Sequence, residues 1–293
     1  MPQLSVITPA FVAALAVLAF DARASIPEVP GDDIFGFTSP SDVGNPGDVS
    51  FANENDGRAG KREGTYRALN AKYELGLTTA PDWWVGASLF ASHNRARSVP
   101  DLADINRVGF DGLSFEIEHR IVKRTQNNPF AVSVSMEPRW ARIDGVSGLS
   151  SQALNVAFKV FVDAVVIPDK LFLGSNIIWT PQRAEDPSDR SKWLSSSAIL
   201  LSSAIAYQMS PKFFVGAEAR YLGSFATIFP TREVGHAVYA GPTLLWKITD
   251  KAAFNATFQP QIAGRSTANP GLRLDLDNFE RVQFRAKLTV ALQ

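Results

Sequence analysis

The clearest pattern in the chain is a strict alternation near its end. From residue 282 the even positions read Val282, Phe284, Ala286, Leu288, Val290 and Leu292. The odd positions read Arg281, Gln283, Arg285, Lys287, Thr289 and Ala291. A helix would scatter these sets around its circumference, whereas a strand puts them on opposite faces. Cations spaced along one face are out of place in a buried sandwich core. They suit a tilted strand with lipid on one side and water on the other.

The same period recurs upstream. Over 65–77, Leu69, Ala71, Tyr73, Leu75 and Leu77 oppose Asn70, Lys72, Glu74 and Gly76. Residues 83–92 return with Trp83, Val85, Ala87, Leu89 and Ala91 on one face. Over 110–121, Leu113, Phe115, Ile117 and Ile121 oppose Ser114, Glu116, Glu118 and Arg120. Over 130–140, Val132, Val134, Met136, Pro138 and Trp140 oppose Ser133, Ser135, Glu137 and Arg139. Further strands are predicted over 154–166, 171–179, 194–207, 213–222, 236–248 and 252–262. A weak candidate at 48–55 carries only Val49 and Phe51 as its apolar face.

Connections between these strands alternate. Short turns fall at 79–82, 123–128, 168–169, 210–211 and 249–251. Longer polar stretches fall at 56–64, 93–107, 143–151, 180–192, 223–234 and 264–277. Outer-membrane barrels have short periplasmic turns and longer outer loops. The fold expected is all-β: an antiparallel transmembrane β-barrel of about twelve strands, an even number being the bacterial rule. The weak strand at 48–55 then pairs with 281–292 and removes the sheet edges.

The N-terminus reads differently. Residues 11–20 (FVAALAVLAF) form a short apolar run, and Ala22-Arg23-Ala24 follows. This is a signal-peptide pattern over 1–24, with cleavage between Ala24 and Ser25, although no Lys or Arg precedes the apolar run. Residues 25–46, rich in Pro, Gly and Asp, are expected to be a flexible N-terminal lead-in, tether or plug. Residues 47–293 form the barrel domain.

Composition narrows the chemistry. Lys plus Arg and Asp plus Glu both number 29, so the net charge is zero and no basic footprint for nucleic acid exists. With no cysteine, disulfides, thiolate catalysis and Cys-based zinc sites are excluded. His93, His119 and His236 match no metal-ligating spacing, so no metal and no cofactor is expected. There is no Gly-rich phosphate loop and no GxSxG.

The inward face supplies the candidate site. Lys72, Glu74, Glu116, Glu118, Arg120, Glu137, Arg139, Glu218, Arg220, Arg281, Arg285 and Lys287 are expected to line the lumen. Glu116 should approach Glu137 and Arg139, while Arg281, Arg285 and Lys287 form a cationic wall. Opposed charges across a lumen would favour zwitterionic or polar solutes; the same charges could instead pair and fill it. Trp83, Trp140, Trp179 and Trp246 are expected as interface aromatics. The anticipated partners are outer-membrane lipids, the barrel-assembly machinery and a small-molecule solute, in a bacterial outer membrane.

Three stretches carry a family resemblance: Gly47-Asp48-Val49-Ser50-Phe51, then 66–78 (YRALNAKYELGLT) with 83–90, and Asn278-Phe279-Glu280-Arg281 through Leu292. They resemble the ends of outer-membrane barrels associated with meta-pathway phenol degradation and of related uncharacterised transporter-like barrels. The resemblance implies passage of small apolar or aromatic compounds. Such barrels usually finish on an aromatic residue, where this chain has Val290-Ala291-Leu292-Gln293. Two other functions compete with a channel. One is a hydrolase on the lipid face using His119, for which the outward Ser175 falls on a distant strand. The other is a closed structural or adhesive barrel acting through its outer loops.

Overall fold

A computed structural model of the chain describes Val29 and residues 33–293. The proposed signal peptide, its Ala24–Ser25 junction and most of 25–32 lie outside the described residues. The strands are β1 (Val49–Ala59), β2 (Thr65–Ala80), β3 (Trp83–Arg97), β4 (Ile105–Val122), β5 (Phe130–Ile143) and β6 (Ser150–Ile167). They continue as β7 (Leu171–Asp186), β8 (Asp189–Ser210), β9 (Phe213–Phe225), β10 (Glu233–Lys247), β11 (Ala252–Ser266) and β12 (Val282–Ala291).

These strands form one closed antiparallel barrel in which every strand pairs with its chain neighbours and β1 pairs with β12. Closure is continuous from Ser50 opposite Ala291 to Ala59 opposite Val282. β1 is thus paired on both sides despite its weak pattern. Its outward positions at mid-wall are Asn53 and Asn55, next to Tyr73 and Ala71 of β2. The Asn55 amide donates to Asn53 Oδ1 at 2.8 Å. That local pairing lets two polar side chains stand where the pattern calls for apolar ones.

Two expected loops are strand instead. The stretch 180–192 was assigned to a long loop, yet β7 and β8 run through it and turn only at Pro187-Ser188. Likewise β3 continues to Arg97 and β4 starts at Ile105, leaving 98–104 as the loop. β1 reaches Ala59, β9 reaches Phe225 and β10 starts at Glu233, shortening two more loops. The cause is physical: beyond the hydrocarbon layer both faces of a strand meet water. The apolar period vanishes there while the backbone ladder persists.

The outer surface carries the apolar band. Leu75, Leu89, Phe115, Ile177 and Phe258 are each at least half exposed, the inverse of a soluble core and the signature of a lipid-facing wall. Trp83 and Trp246 mark the short-turn rim. Trp83 stacks on His119 with ring centroids 4.1 Å apart. Trp140 and Trp179 lie further toward the long-loop end, where Phe158 and Phe229 flank Trp179.

Gly112 marks a bulge where β3–β4 pairing passes from Phe90–Gly112 to Ala91–Phe110. Its φ is +148°, and a Cβ there would lie 2.0 Å from the Trp140 carbonyl oxygen. Gly112→Ala should therefore cost about 1–3 kcal/mol. Urea unfolding of the refolded protein, followed by tryptophan fluorescence, measures it; an unchanged midpoint would refute the strain.

A plugged, charge-paired lumen as the candidate functional site

The lumen is occupied from the short-turn end by the chain's own N-terminal segment. Residues 33–44 lie within the barrel, and the exposed turn 45–48 leads from them into β1. Within the 25–46 stretch expected as a lead-in, tether or plug, these residues hydrogen-bond and ion-pair with the wall. Ile34 and Phe35 are essentially fully buried in an apolar nest with Val165, Phe172, Phe214 and Leu245. These inward apolar residues lie beside the short turns. Burying two such side chains stabilises docking by about 1.5–3 kcal/mol each.

Polar anchors follow in register. The Phe37 and Thr38 amides donate to the Glu218 carboxylate at 2.8 and 2.6 Å, and the Thr38 hydroxyl donates to it at 2.6 Å. The Ser41 amide and hydroxyl donate to Asp163 at 2.6 and 2.7 Å. Asn255 donates to the carbonyls of Asp33 and Phe35, and Thr78 donates to that of Val43. Asp33 pairs with Lys287, and Asp42 pairs with Arg120 at 3.1 Å. Gly36 is the closest approach. A Cβ there would fall 2.4 Å from Glu218 Oε2 and 2.8 Å from Thr257 Cβ, so only glycine passes without displacing the wall.

Above the segment, the inward charges pair with one another. Lys159, which the sequence reading missed, joins Glu116 at 2.8 Å and Glu137 at 2.6 Å. Lys72 bonds Glu74 at 2.5 Å and lies 3.9 Å from Glu137. Glu116 and Glu137 thus meet as expected, but Arg139 turns away to Asp111 at 2.6 Å. Glu118 accepts from the Ser133 hydroxyl at 2.5 Å.

The expected cationic wall is not a free one. Arg285 is held by Asp56 at 2.7 Å and Glu54 at 2.9 Å, and Lys287 by Asp33 and Glu54. Both acids of β1 face β12 because those strands close the barrel. Arg281 is exposed just outside β12, at the rim rather than in the lumen. His236 lies on the outer face beside Tyr221 and contacts Glu233 at 2.5 Å.

Arg220 differs from its neighbours. It donates to Gln259 at 2.6 Å and Gln283 at 2.8 Å, and among the described residues it joins no ion pair. Its guanidinium lies 3.4 Å from the Phe37 ring centroid, and that of Arg285 lies 4.5 Å from it. An aromatic ring therefore sits against two cations at mid-lumen, an arrangement favoured by the ring quadrupole.

The long-loop end is also covered. The Tyr66 hydroxyl donates to the Val146 carbonyl at 3.0 Å, and the Tyr239 hydroxyl to that of Glu280 at 2.6 Å. Lys61 reaches the Phe279 carbonyl at 3.0 Å, so the β11–β12 connection lies across the mouth. Trp84, whose parity opposes Trp83, packs over the paired glycines Gly76 and Gly86 on the lumen wall. Lys159 and Asp163 were legible as inward parity on a strand whose faces the sequence reading left unassigned, Glu54 as opposite the apolar face of 48–55, while Asp56 fell in a stretch read as a connection and lies on β1 instead.

The competing lipid-face site is not assembled. His119 Nδ1 lies 3.1 Å from the Asp82 carbonyl. Ser175 bonds Ser203 at 3.1 Å, three strands away.

Comparison with known proteins gives a family and a fold. The chain belongs to a family described as "Family of unknown function (DUF6662)", which matches residues 27–292. No curated protein sequence matches it. Among solved structures, an outer-membrane channel from Pseudomonas putida F1 is similar with a TM-score of 0.56 and 10% identity, over 90% of this chain and 100% of that one. The β-domain of the Bordetella autotransporter BrkA gives 0.55 and 11%, over 84% and 100%. The NanC porin gives 0.50 and 12%, over 83% and 100%. Likeness at this identity is likeness of fold. With the apolar band, it makes the chain a bacterial outer-membrane barrel.

Two outcomes follow for the inserted segment. Gly36→Leu should release it while leaving the wall sequence intact. Amide exchange across 34–43 should then rise by about tenfold or more, with the strands unchanged; unaltered exchange would contradict the docking. The Asp33 carboxyl responds to burial and to Lys287, and the cation prevails and holds it below its usual 3.8. A depressed carboxylate contributes stability above its ordinary value and loses it as pH falls below. Exchange of 33–38, corrected for intrinsic rate, should therefore rise as pH falls below the ordinary carboxylate range, and Asp33→Asn should abolish that part of the rise.

Proposed function

We propose that the protein is an outer-membrane channel for small aromatic acids, closed in the described state by its own N-terminal segment. The observation that carries this reading is the Phe37 ring held against Arg220 and Arg285 in the lumen. A solute entering after the segment withdraws would meet a ring site and a guanidinium that lacks a carboxylate. An aromatic carboxylate supplies both, with bidentate hydrogen bonds to the cation. The resemblance of the chain's ends to phenol-degradation barrels favours the same solute class over the polar or zwitterionic one that opposed walls suggested. That the similar barrel from P. putida is an outer-membrane channel is in keeping with it.

The remaining wall suits passage. Paired charges and amides offer exchangeable hydrogen bonds without one net sign, so a solute could bind and leave. The closed adhesive barrel is the second reading, favoured by the covered outer mouth. The hydrolase reading has no assembled His–Ser pair to support it.

The chain's lack of cysteine permits a clean test. The Thr38 and Ser202 hydroxyl oxygens lie 2.8 Å apart, so Thr38→Cys with Ser202→Cys should form a disulfide that staples the segment in place. Liposomes carrying this protein should admit benzoate after reduction and not before, with a small neutral sugar entering more slowly. Equal flux in both states would mean that the segment is not the gate. No entry from folded, reduced protein would favour the adhesive barrel. In the open pore, Lys159→Gln leaves Glu116 and Glu137 without their shared cation. Reversal potentials should then shift toward cation preference by a few fold.

A further inference from the structure

A row of cations stands on the outside of the barrel at its long-loop rim. On β2 the lipid-facing parity of Tyr73, Ala71 and Leu69 continues into Arg67. On β3 that of Leu89 and Ala91 continues into His93, Arg95 and Arg97. Arg67 and Arg95 are direct cross-strand partners. Like charges placed opposite one another in a sheet repel. Among the described residues none of these three arginines forms an ion pair. Asp104, which shares their pocket, is engaged by the Ser98 amide at 2.7 Å.

The surroundings point to what neutralises them. Arg95, Arg97, Asp104, Ile105 and Asn106 line an open pocket of about 300 Å³. Asn106 is fixed there by the His93 ring at 3.0 Å. Directly below, Leu89, Val108 and Phe110 are 56%, 74% and 45% exposed and belong to the apolar band. Arginine thus begins where the hydrocarbon-facing residues end. With the short turns periplasmic, that level is the headgroup layer of the outer leaflet. Guanidinium groups match phosphate oxygens in bidentate geometry, and acyl chains of the same molecule would cover the apolar residues beneath.

We propose that Arg67, Arg95 and Arg97 form a binding site for the phosphate-bearing headgroup of an outer-leaflet lipid. The site lies on the barrel's exterior and is independent of whether the lumen conducts.

The test uses the full barrel in detergent and three probes: a phosphorylated diacyl glucosamine lipid, its dephosphorylated form, and inorganic phosphate. Native mass spectrometry should show the phosphorylated lipid retained roughly tenfold more strongly than the dephosphorylated one. Arg67→Gln/Arg95→Gln/Arg97→Gln should abolish the preference. Lys212→Gln/Lys251→Gln, at the opposite rim, should preserve it. Equal retention of the two lipids, or an undiminished preference in the triple variant, would overturn the site. Inorganic phosphate binding as tightly as the lipid would overturn the lipid assignment and leave a free-anion site. Should the triple variant fail to fold, the two lipids on the unaltered protein and on Arg95→Gln decide the question.

Discussion

Everything in this structure depends on closing the backbone ladder between β1 and β12. A sheet edge in hydrocarbon would leave unpaired amides and carbonyls at a cost of several kcal/mol each. The seam from Ser50–Ala291 to Ala59–Val282 removes that edge. It also forces β1, whose outward face is poor in apolar residues, into the wall. The local Asn55–Asn53 bond is a consequence of that requirement.

Closure then dictates the lumen. With strands alternating in and out, each polar residue of the inner face is enclosed by the barrel. Charges there persist only if they are paired and hydrogen-bonded. The barrel meets this condition by cross-strand carboxylate–lysine sets such as Glu116–Lys159–Glu137 and by the seam itself, which brings Glu54 and Asp56 to Arg285. Near the short turns the wall lacks enough internal partners. The segment 33–44 supplies them, with backbone amides for Glu218 and Asp163 and a carboxylate for Lys287. The segment is bound by these polar groups and by the apolar nest around Ile34 and Phe35, and the wall's own ladder closes without it.

The two ends of the barrel use aromatic and charged residues differently. At the short-turn rim, Trp83 stacks on His119 and Arg120 and Lys123 are neutralised by Asp82; these contacts fix turns. At the long-loop rim, Arg67, Arg95 and Arg97 project outward and join no ion pair among the described residues. Inside, Arg220 is likewise held by amides and an aromatic ring instead of an acid. In both places the protein leaves a guanidinium available for an anion that it does not itself provide.

The sequence by itself determined the wall. Period-two alternation in 65–77, 110–121 and 282–292 identified strands, faces and barrel class, because lipid and water impose opposite demands on successive side chains. The alternation of short and long connections distinguished the two ends of the barrel, and the inward parity of Lys72, Glu116, Glu137, Arg220 and Arg285 indicated most of the lumen chemistry. It did not reveal strands beyond the membrane, as in 180–192, where both faces are wet and no period survives. Nor did it reveal who pairs with whom. Arg285 reads as a free cation until closure sets Glu54 and Asp56 beside it, and Lys159 becomes central only when β4, β5 and β6 are in register. The segment 33–44 has no periodicity, since its residues meet different parts of the wall. Only the tertiary structure placed Phe35 in its nest and Phe37 against Arg220, because those contacts join residues far apart in sequence that share nothing but a depth in the lumen.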